Sequence, residues 1–173
     1  DFRGLHGDGR LVAELRDWFL GATRARPNFL RLMAENALQT RPPLGKWRGF
    51  ATEGAPNEPK TINLKLYGVR PFVDTARILA LARGLPQTTT AERLRAASAA
   101  GAMPRDEAEA AVASFFFIQG VRLRHQAALE TLSDDSANRI DPAVLNELDR
   151  RTLKEAFRIA GELQSRLALD YQL

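Results

Sequence analysis

The sequence predicts a mainly α fold: a helical bundle of about six helices with a small β-hairpin near residues 47-67. Two observations carry this. Apolar residues recur at three- and four-residue steps over most of the 173 residues, which is the period of a half-buried helix. The stretch from Trp47 to Tyr67 breaks that period, and two extended segments there flank the turn-rich "EGAPNEP".

The elements follow in order. "HGDG" has turn chemistry, and from Leu11 a helical stripe begins with Leu11, Val12, Leu15, Trp18, Phe19 and Ala22. Pro27 suits the first turn of a second helix, whose apolar set is Phe29, Leu30, Leu32, Met33, Ala37 and Leu38; "RPPLG" ends it. Trp47 to Thr52 and Thr61 to Tyr67 read as the hairpin strands. Alternation sets Ile62, Leu64 and Leu66 against Asn63 and Lys65. Pro71 opens a third helix and Gly84 ends it. Thr89 and Glu92 have the spacing of a capping box for a short fourth helix ending near Gly101. A long fifth helix runs from Pro104 to about Leu132, with Ala108, Ala111, Phe115, Ile118, Leu123 and Leu129 on its core face. Asp141 caps the last helix and Pro142 takes its first position. Its stripe is Leu145, Leu148, Leu153, Phe157, Ala160, Leu163 and Leu167, with Glu162 and Arg166 paired outside. The last two helices pack as an antiparallel pair.

Composition narrows the function classes. A chain of this length forms one domain with a sizeable core. No apolar run reaches the roughly 18 residues of a membrane span. The absence of cysteine excludes disulfides and thiolate metal sites. The compartment expected by default is the cytoplasm. The net charge is +4 and only four of the 25 basic residues are lysine. Arginine suits bidentate recognition of phosphate or carboxylate, so a nucleotide-sized anion fits this charge better than a nucleic-acid duplex does. There is no Gly-rich phosphate loop, no metal-spaced His cluster around His6 or His125 and no serine-hydrolase motif.

The remaining signal is polar groups where the pattern expects apolar ones. Arg70, Asp74 and Arg77 lie on one side of a helix by i, i+4, i+7 spacing. Either they form a salt bridge that only supports the fold, or Asp74 orients Arg77 for an anion. Lys65 sits on the polar face of the second strand. Arg93 lies early in its helix, where the dipole mildly disfavours a cation. Arg122, Arg124, His125 and Gln126 cluster on the long helix. Lys154 and Arg158 repel unless Glu155 or Glu162 lies between them.

The strings "PPLG", "TINLKLYGVRPFVDTARILALARGL", "TTTAERLR", "FFFIQGVRLRHQ", "IDP" and "LKEAFRIAGELQSRL" together resemble the putative nucleotidyltransferase substrate-binding domain. This is the C-terminal helical domain of bacterial polymerase-beta-type nucleotidyltransferase-like signalling proteins, often with cystathionine-beta-synthase or cyclic-nucleotide-binding domains upstream. The family pattern marks Lys65, Asp74, Arg77, Thr90, Arg93, Leu94, Arg124 and Gln126; Asn63 departs from it, an aspartate being common there.

The resemblance implies a division at the start of the chain. Residues 1-8 would be the tail of an upstream nucleotidyltransferase domain and 9-173 the helical substrate-binding domain. It implies an accessory domain that binds a nucleotide or an acceptor protein for a metal-dependent nucleotidyltransferase in bacterial signal transduction. The chain would be inactive alone. No catalytic or metal residue falls within it; magnesium and a nucleoside triphosphate would belong to the parent enzyme. Lys65, Arg77, Arg93 and Arg124 are the expected substrate-binding residues, with Asp74, Thr90 and Gln126 supporting them. The upstream domain is the expected partner, without membrane or nucleic acid, and a homodimer is compatible. The alternative is a regulatory or dimerisation module relaying upstream sensor domains.

Overall fold

The structure is a computed structural model that describes residues 6–45, 49–54, 60–129 and 136–173. The expected tail at residues 1-8, the start of the first hairpin segment at Trp47 and Arg48, and the end of the fifth helix at Leu132 fall wholly or partly outside the described residues. Among the described residues there are six α-helices and one two-stranded antiparallel sheet.

Helix α1 (Gly9–Arg24) starts where Asp8 accepts a hydrogen bond from the Arg10 backbone amide. Its predicted stripe is not a core face. Only Thr23 is fully buried, while Leu11, Leu15 and Trp18 are 67%, 51% and 68% exposed. Those three follow i, i+4, i+7 spacing, a lateral strip of the helix. Helix α2 (Pro27–Leu38) takes Pro27 in its first turn and buries Leu30, Ala34 and Ala37; Phe29 and Leu32 stay exposed.

Two isolated antiparallel bridges follow, Leu44 to Phe50 and Glu53 to Thr61. The second pairs Thr61, at the start of the second expected strand, with Glu53 of the expected loop, through backbone hydrogen bonds of 2.8 and 2.9 Å, while Phe50 of the first expected strand pairs with Leu44 instead. Strand β1 (Ile62–Asn63) then pairs with β2 (Arg139–Ile140), in register Ile62 to Ile140 and Asn63 to Arg139. The second extended segment was expected to reach Tyr67. It stops at Asn63, whose side chain accepts from the Leu66 amide at 2.9 Å and starts a π-helical turn over Leu64–Val69. An Asx side chain that satisfies a free amide favours a turn over further strand.

That turn runs directly into α3 (Arg70–Arg83), the central helix, which packs against α1, α2, α4 and α6. Gly84 ends it at φ 66, a left-handed conformation that glycine adopts without a Cβ penalty. Helix α4 (Thr90–Ala99) is capped as expected: Thr89 accepts from the Glu92 amide at 3.3 Å and its hydroxyl donates to the Glu92 carboxylate at 2.9 Å.

Helices α5 (Arg105–Ala128) and α6 (Glu147–Tyr171) form the antiparallel pair. Arg124 bonds Asp149 at one end and Arg166 bonds Glu107 at the other, so Glu162 and Arg166 are not partners; Arg158 takes Glu155 and Glu162. Leu123 and Leu148, expected in the core, are exposed. Asp141 and Pro142 belong to a 3₁₀ turn over Pro142–Val144, and Asn146 caps α6 instead. In the core, Ile62, Leu64, Phe72, Ile118, Phe157 and Leu153 are almost fully buried. Gln164, buried on α6, donates to the Ala37 and Thr40 carbonyls at 3.0 and 2.7 Å and so satisfies the C-terminal end of α2.

Candidate functional site

The C-terminal half of α3, the start of α4 and the loop between them face α1 and α2 across a cleft. Its polar side has Arg77 from α3, Gln87 from the loop and Arg93 from α4; its apolar side includes Phe19, Leu20, Phe29 and Met33. Arg16 of α1 also lines it. The loop is held in shape because Gly84 turns the chain and the Leu85 amide donates back to the Ala80 carbonyl.

Arg93 is 7% exposed, and its Nε donates to the Gln87 carbonyl at 2.9 Å. Burial pushes its guanidinium pKa down, because desolvation disfavours the charged form. Arg77 sits nearer solvent. Asp74, one turn before it, accepts from Arg77 Nη1 at 3.4 Å and from Arg70 Nε at 3.1 Å. A carboxylate shared by two arginines restricts the rotamers of both.

The structure therefore brings Arg77 and Arg93 to one cleft; Asp74 bonds Arg77 but does not line the cleft, and neither does Thr90, the first residue of α4. Lys65 and Arg124 do not line this cleft. Lys65 is exposed on the π-helical turn, and Arg124 is exposed on the last turns of α5 in its Asp149 ion pair. Gln126 is half-buried near the end of α5. Arg122 has a structural position: its guanidinium donates to Asn138 Oδ1 at 3.2 and 2.7 Å and to Gln119, tying α5 to the segment before β2.

Gln87, Arg16, Phe19 and Phe29 were not expected at a site. Phe19 and Phe29 matched apolar helix periods and read as core. Gln87 sits in a non-periodic loop whose location depends on how α3 and α4 pack. The one sequence signal for Gln87 is its place between a helix-ending Gly84 and a helix-capping Thr89, which forces a short, sharp connection.

Among the described residues no group of three or more His, Asp or Glu stands together to hold a metal, and no helix is long and apolar enough to cross a membrane. The family model described as "Putative nucleotidyltransferase substrate binding domain" matches residues 27–171, that is α2 through the end of α6. No curated protein and no solved structure matches the chain.

Proposed function

The chain belongs to the putative nucleotidyltransferase substrate binding domain family, and from that premise we propose that the cleft between α1, α2, α3 and α4 is where it holds substrate. The substrate would be a nucleotide or an acceptor protein, held for a metal-dependent nucleotidyltransferase domain in bacterial signal transduction, in the cytoplasm. In this reading residues 9-173 form the binding domain and residues 1-8 lead in from its partner domain.

One observation carries the reading. Arg77 and Arg93, on different helices, reach the same cleft opposite an apolar wall. Two guanidinium groups in a partly desolvated cleft suit anionic oxygens, while Phe29 and Met33 offer the ligand body a surface to pack on. Such a domain contributes by positioning: it lowers the entropy cost of bringing reactants together. In this reading the partner domain would hold the magnesium and this chain would hold and orient the substrate.

Calorimetric titration of nucleoside triphosphates into the chain tests the assignment. Arg77→Ala and Arg93→Ala are expected to weaken binding roughly tenfold each, as for loss of one charge-assisted hydrogen bond. Unchanged binding by both variants would remove the cleft from consideration. Lys65→Ala and Arg124→Ala, outside the cleft, serve as comparisons.

The second reading is a dimerisation module, favoured by the exposed Leu11, Leu15 and Trp18 strip of α1. A second copy covering that strip predicts a dimer in analytical ultracentrifugation that Trp18→Asp dissociates. A wild-type monomer at high concentration rules it out.

A further inference from the structure

We infer that the outer face of α5 docks a second copy of this chain, with the two α5 helices antiparallel; this rests on neither the cleft nor the α1 strip. Between Ala110 and Val121 the only polar residues of α5 are Ser114 and Gln119, so the helix is apolar on every side. Its inner side packs against α4, α6 and the π-helical turn, where Ala111, Phe115 and Ile118 are buried. On the opposite side Phe116 and Leu123 are 57% and 68% exposed. A helix that is apolar all round is ordinarily covered all round, and one side of this helix is open.

The order of sizes on that side selects the occupant. Ala113, Phe116, Gly120, Leu123 and Ala127 advance by alternate steps of three and four, the a and d positions of a coiled-coil seam. Ala113 and Ala127 are exposed and Gly120 partly so. Every a position is small and every d position is large. A parallel pair sets a against a and d against d, so Phe116 would meet Phe116 while Gly120 faced Gly120 across a gap. An antiparallel pair sets each a against a d. About a two-fold axis beside Ile118, Phe116 of one copy meets Gly120 of the other and Leu123 meets Ala113, so each large side chain enters the space that a small one leaves. The charges agree. Glu109, the next seam position toward the N-terminus, bonds Arg95, and Arg124 flanks the C-terminal end. Antiparallel copies bring the acidic end of one alongside the basic end of the other, whereas a parallel pair sets Glu109 beside Glu109. A surface that complements itself is what a two-fold interface between identical chains requires, and this makes a second copy the occupant rather than an unrelated protein.

Two local features prepare the surface. The exposed Phe116 ring stands edge-to-face with Phe115 at 5.4 Å, and Phe115 in turn meets Phe72 at 6.4 Å, so the core holds the anchoring ring in place. Glycine inside a helix is disfavoured relative to alanine, yet among the described residues a Cβ at Gly120 would meet nothing nearer than Arg124 Nη1 at 3.8 Å. The chain's own packing leaves room for a side chain there; the Phe116 ring of a second copy takes that room. The seam is short, roughly 21 Å at 1.5 Å per residue, so the dimer dissociates on the order of micromolar concentrations. No α5 residue lines the cleft, and both copies keep theirs open.

Sedimentation velocity of the whole chain over a concentration series tests this. The expected result is a dimer that separates on dilution. Phe116→Asp and Leu123→Asp should each weaken it about tenfold or more and leave the melting temperature of the dilute monomer unchanged. Gly120→Leu is the sharper variant. It adds apolar surface and should hold or raise the dilute melting temperature, yet it should weaken the dimer about tenfold or more because it fills the seat of Phe116. Trp18→Asp should leave the dimer intact. The chain has no cysteine, so oxidising a mixture of Ala113→Cys and Leu123→Cys chains should yield the mixed disulfide dimer in preference to either homodimer. A monomer at every concentration up to about 1 mM overturns the inference. So does a dimer that survives both aspartate variants, one that Gly120→Leu tightens, or one that Trp18→Asp separates. Preferential disulfide homodimers overturn the antiparallel arrangement. If both aspartate variants unfold, the face is covered within the chain itself, and that result also overturns the inference.

Discussion

Arg93 Nε donates to the main-chain carbonyl of Gln87 at 2.9 Å, so a buried guanidinium on α4 holds the loop that leads into its own helix. The bond spans six residues and closes the polar side of the cleft. Arg93→Met keeps most of the side-chain packing and deletes the bond. Hydrogen bonds to charged groups contribute about 1.5–3 kcal/mol, and relief of the buried charge offsets part of that loss. The variant is expected to lose about 1–2 kcal/mol in urea denaturation, and to bind ligand weakly because the loop is no longer fixed. Wild-type stability in Arg93→Met would show that Gly84 and the Thr89 cap suffice to shape the loop.

Asp74 should matter more to binding than to folding. Its two arginine partners are each more than a third exposed, and ion pairs of that kind contribute at most about 1 kcal/mol. Asp74→Asn is therefore expected to change stability by less than about 1 kcal/mol. If Asp74 orients Arg77, the same variant lowers nucleotide affinity several-fold. Calorimetry and denaturation on one preparation separate the two effects; an affinity loss no larger than the stability change implies would leave Asp74 a fold-supporting residue.

Acid should loosen the junction that Glu53 makes with Tyr67 and with Arg139 at the start of β2. The Tyr67 hydroxyl, and then Arg139, bond the Glu53 carboxylate and hold its pKa below the ordinary glutamate range. A pKa depressed by folding means the unfolded chain binds the proton more readily. The stabilisation is thus fully present above roughly pH 4.3, the ordinary value, and is lost as pH falls through the lower folded value. Glu53→Gln should be less stable than wild type at neutral pH, and the gap should narrow as pH falls below about 4.3. A gap that stays constant from pH 6 to pH 3 would show that the charge on Glu53 plays no part.

The strip on α1 gives a contrast with the core. Trp18→Ser and Leu15→Ser lie on exposed surface and should shift stability by no more than about 0.5 kcal/mol. Phe157→Ala, at a side chain with no exposure, should cost about 3–5 kcal/mol. A large loss from Trp18→Ser would mean that the strip is covered, and concentration dependence of the melting temperature would identify a second copy as the cover.

What the sequence shows of this fold is its local chemistry. Pro71, Gly84 and the Thr89–Glu92 pair mark the limits of α3 and the start of α4, because caps and breakers act over a few residues. The start of α6 was misplaced because Asp141-Pro142 and Asn146-Glu147 both have cap chemistry, and only packing decides which begins the longer helix. The π-helical turn was hidden for a related reason: Ile62 and Leu64 are both buried, as strand alternation requires, so the change of period begins only beyond Lys65. At the cleft, Arg77 stood out as a charge within an apolar helix, and Arg93 as a cation early in its helix. Gln87 did not, since a loop residue has no period to violate and its role arises only when α1 and α2 close against α3 and α4.

Gly68 provides the sharpest test of how that packing is built. It lies in the π-helical turn, and a Cβ placed there would stand 3.0 Å from Ile118 Cγ2 and 3.4 Å from Phe157 Cε1. Both neighbours are fully buried and have little room to yield. Overpacking a well-filled core costs about 1–3 kcal/mol, against a helix-propensity gain for alanine of at most about 1 kcal/mol. Gly68→Ala is therefore expected to destabilise the chain by about 1 kcal/mol or more, measured by urea denaturation. Ile118→Ala removes the nearer obstacle, at the cost of a cavity. In that background the added methyl should be neutral or stabilising, so the double-mutant cycle should show a coupling of about 1 kcal/mol or more. Strict additivity would mean that the turn shifts away from α5 to accept the methyl. Because the turn leads straight into α3, such a shift should also move Arg77, and nucleotide affinity in Gly68→Ala would then fall along with stability.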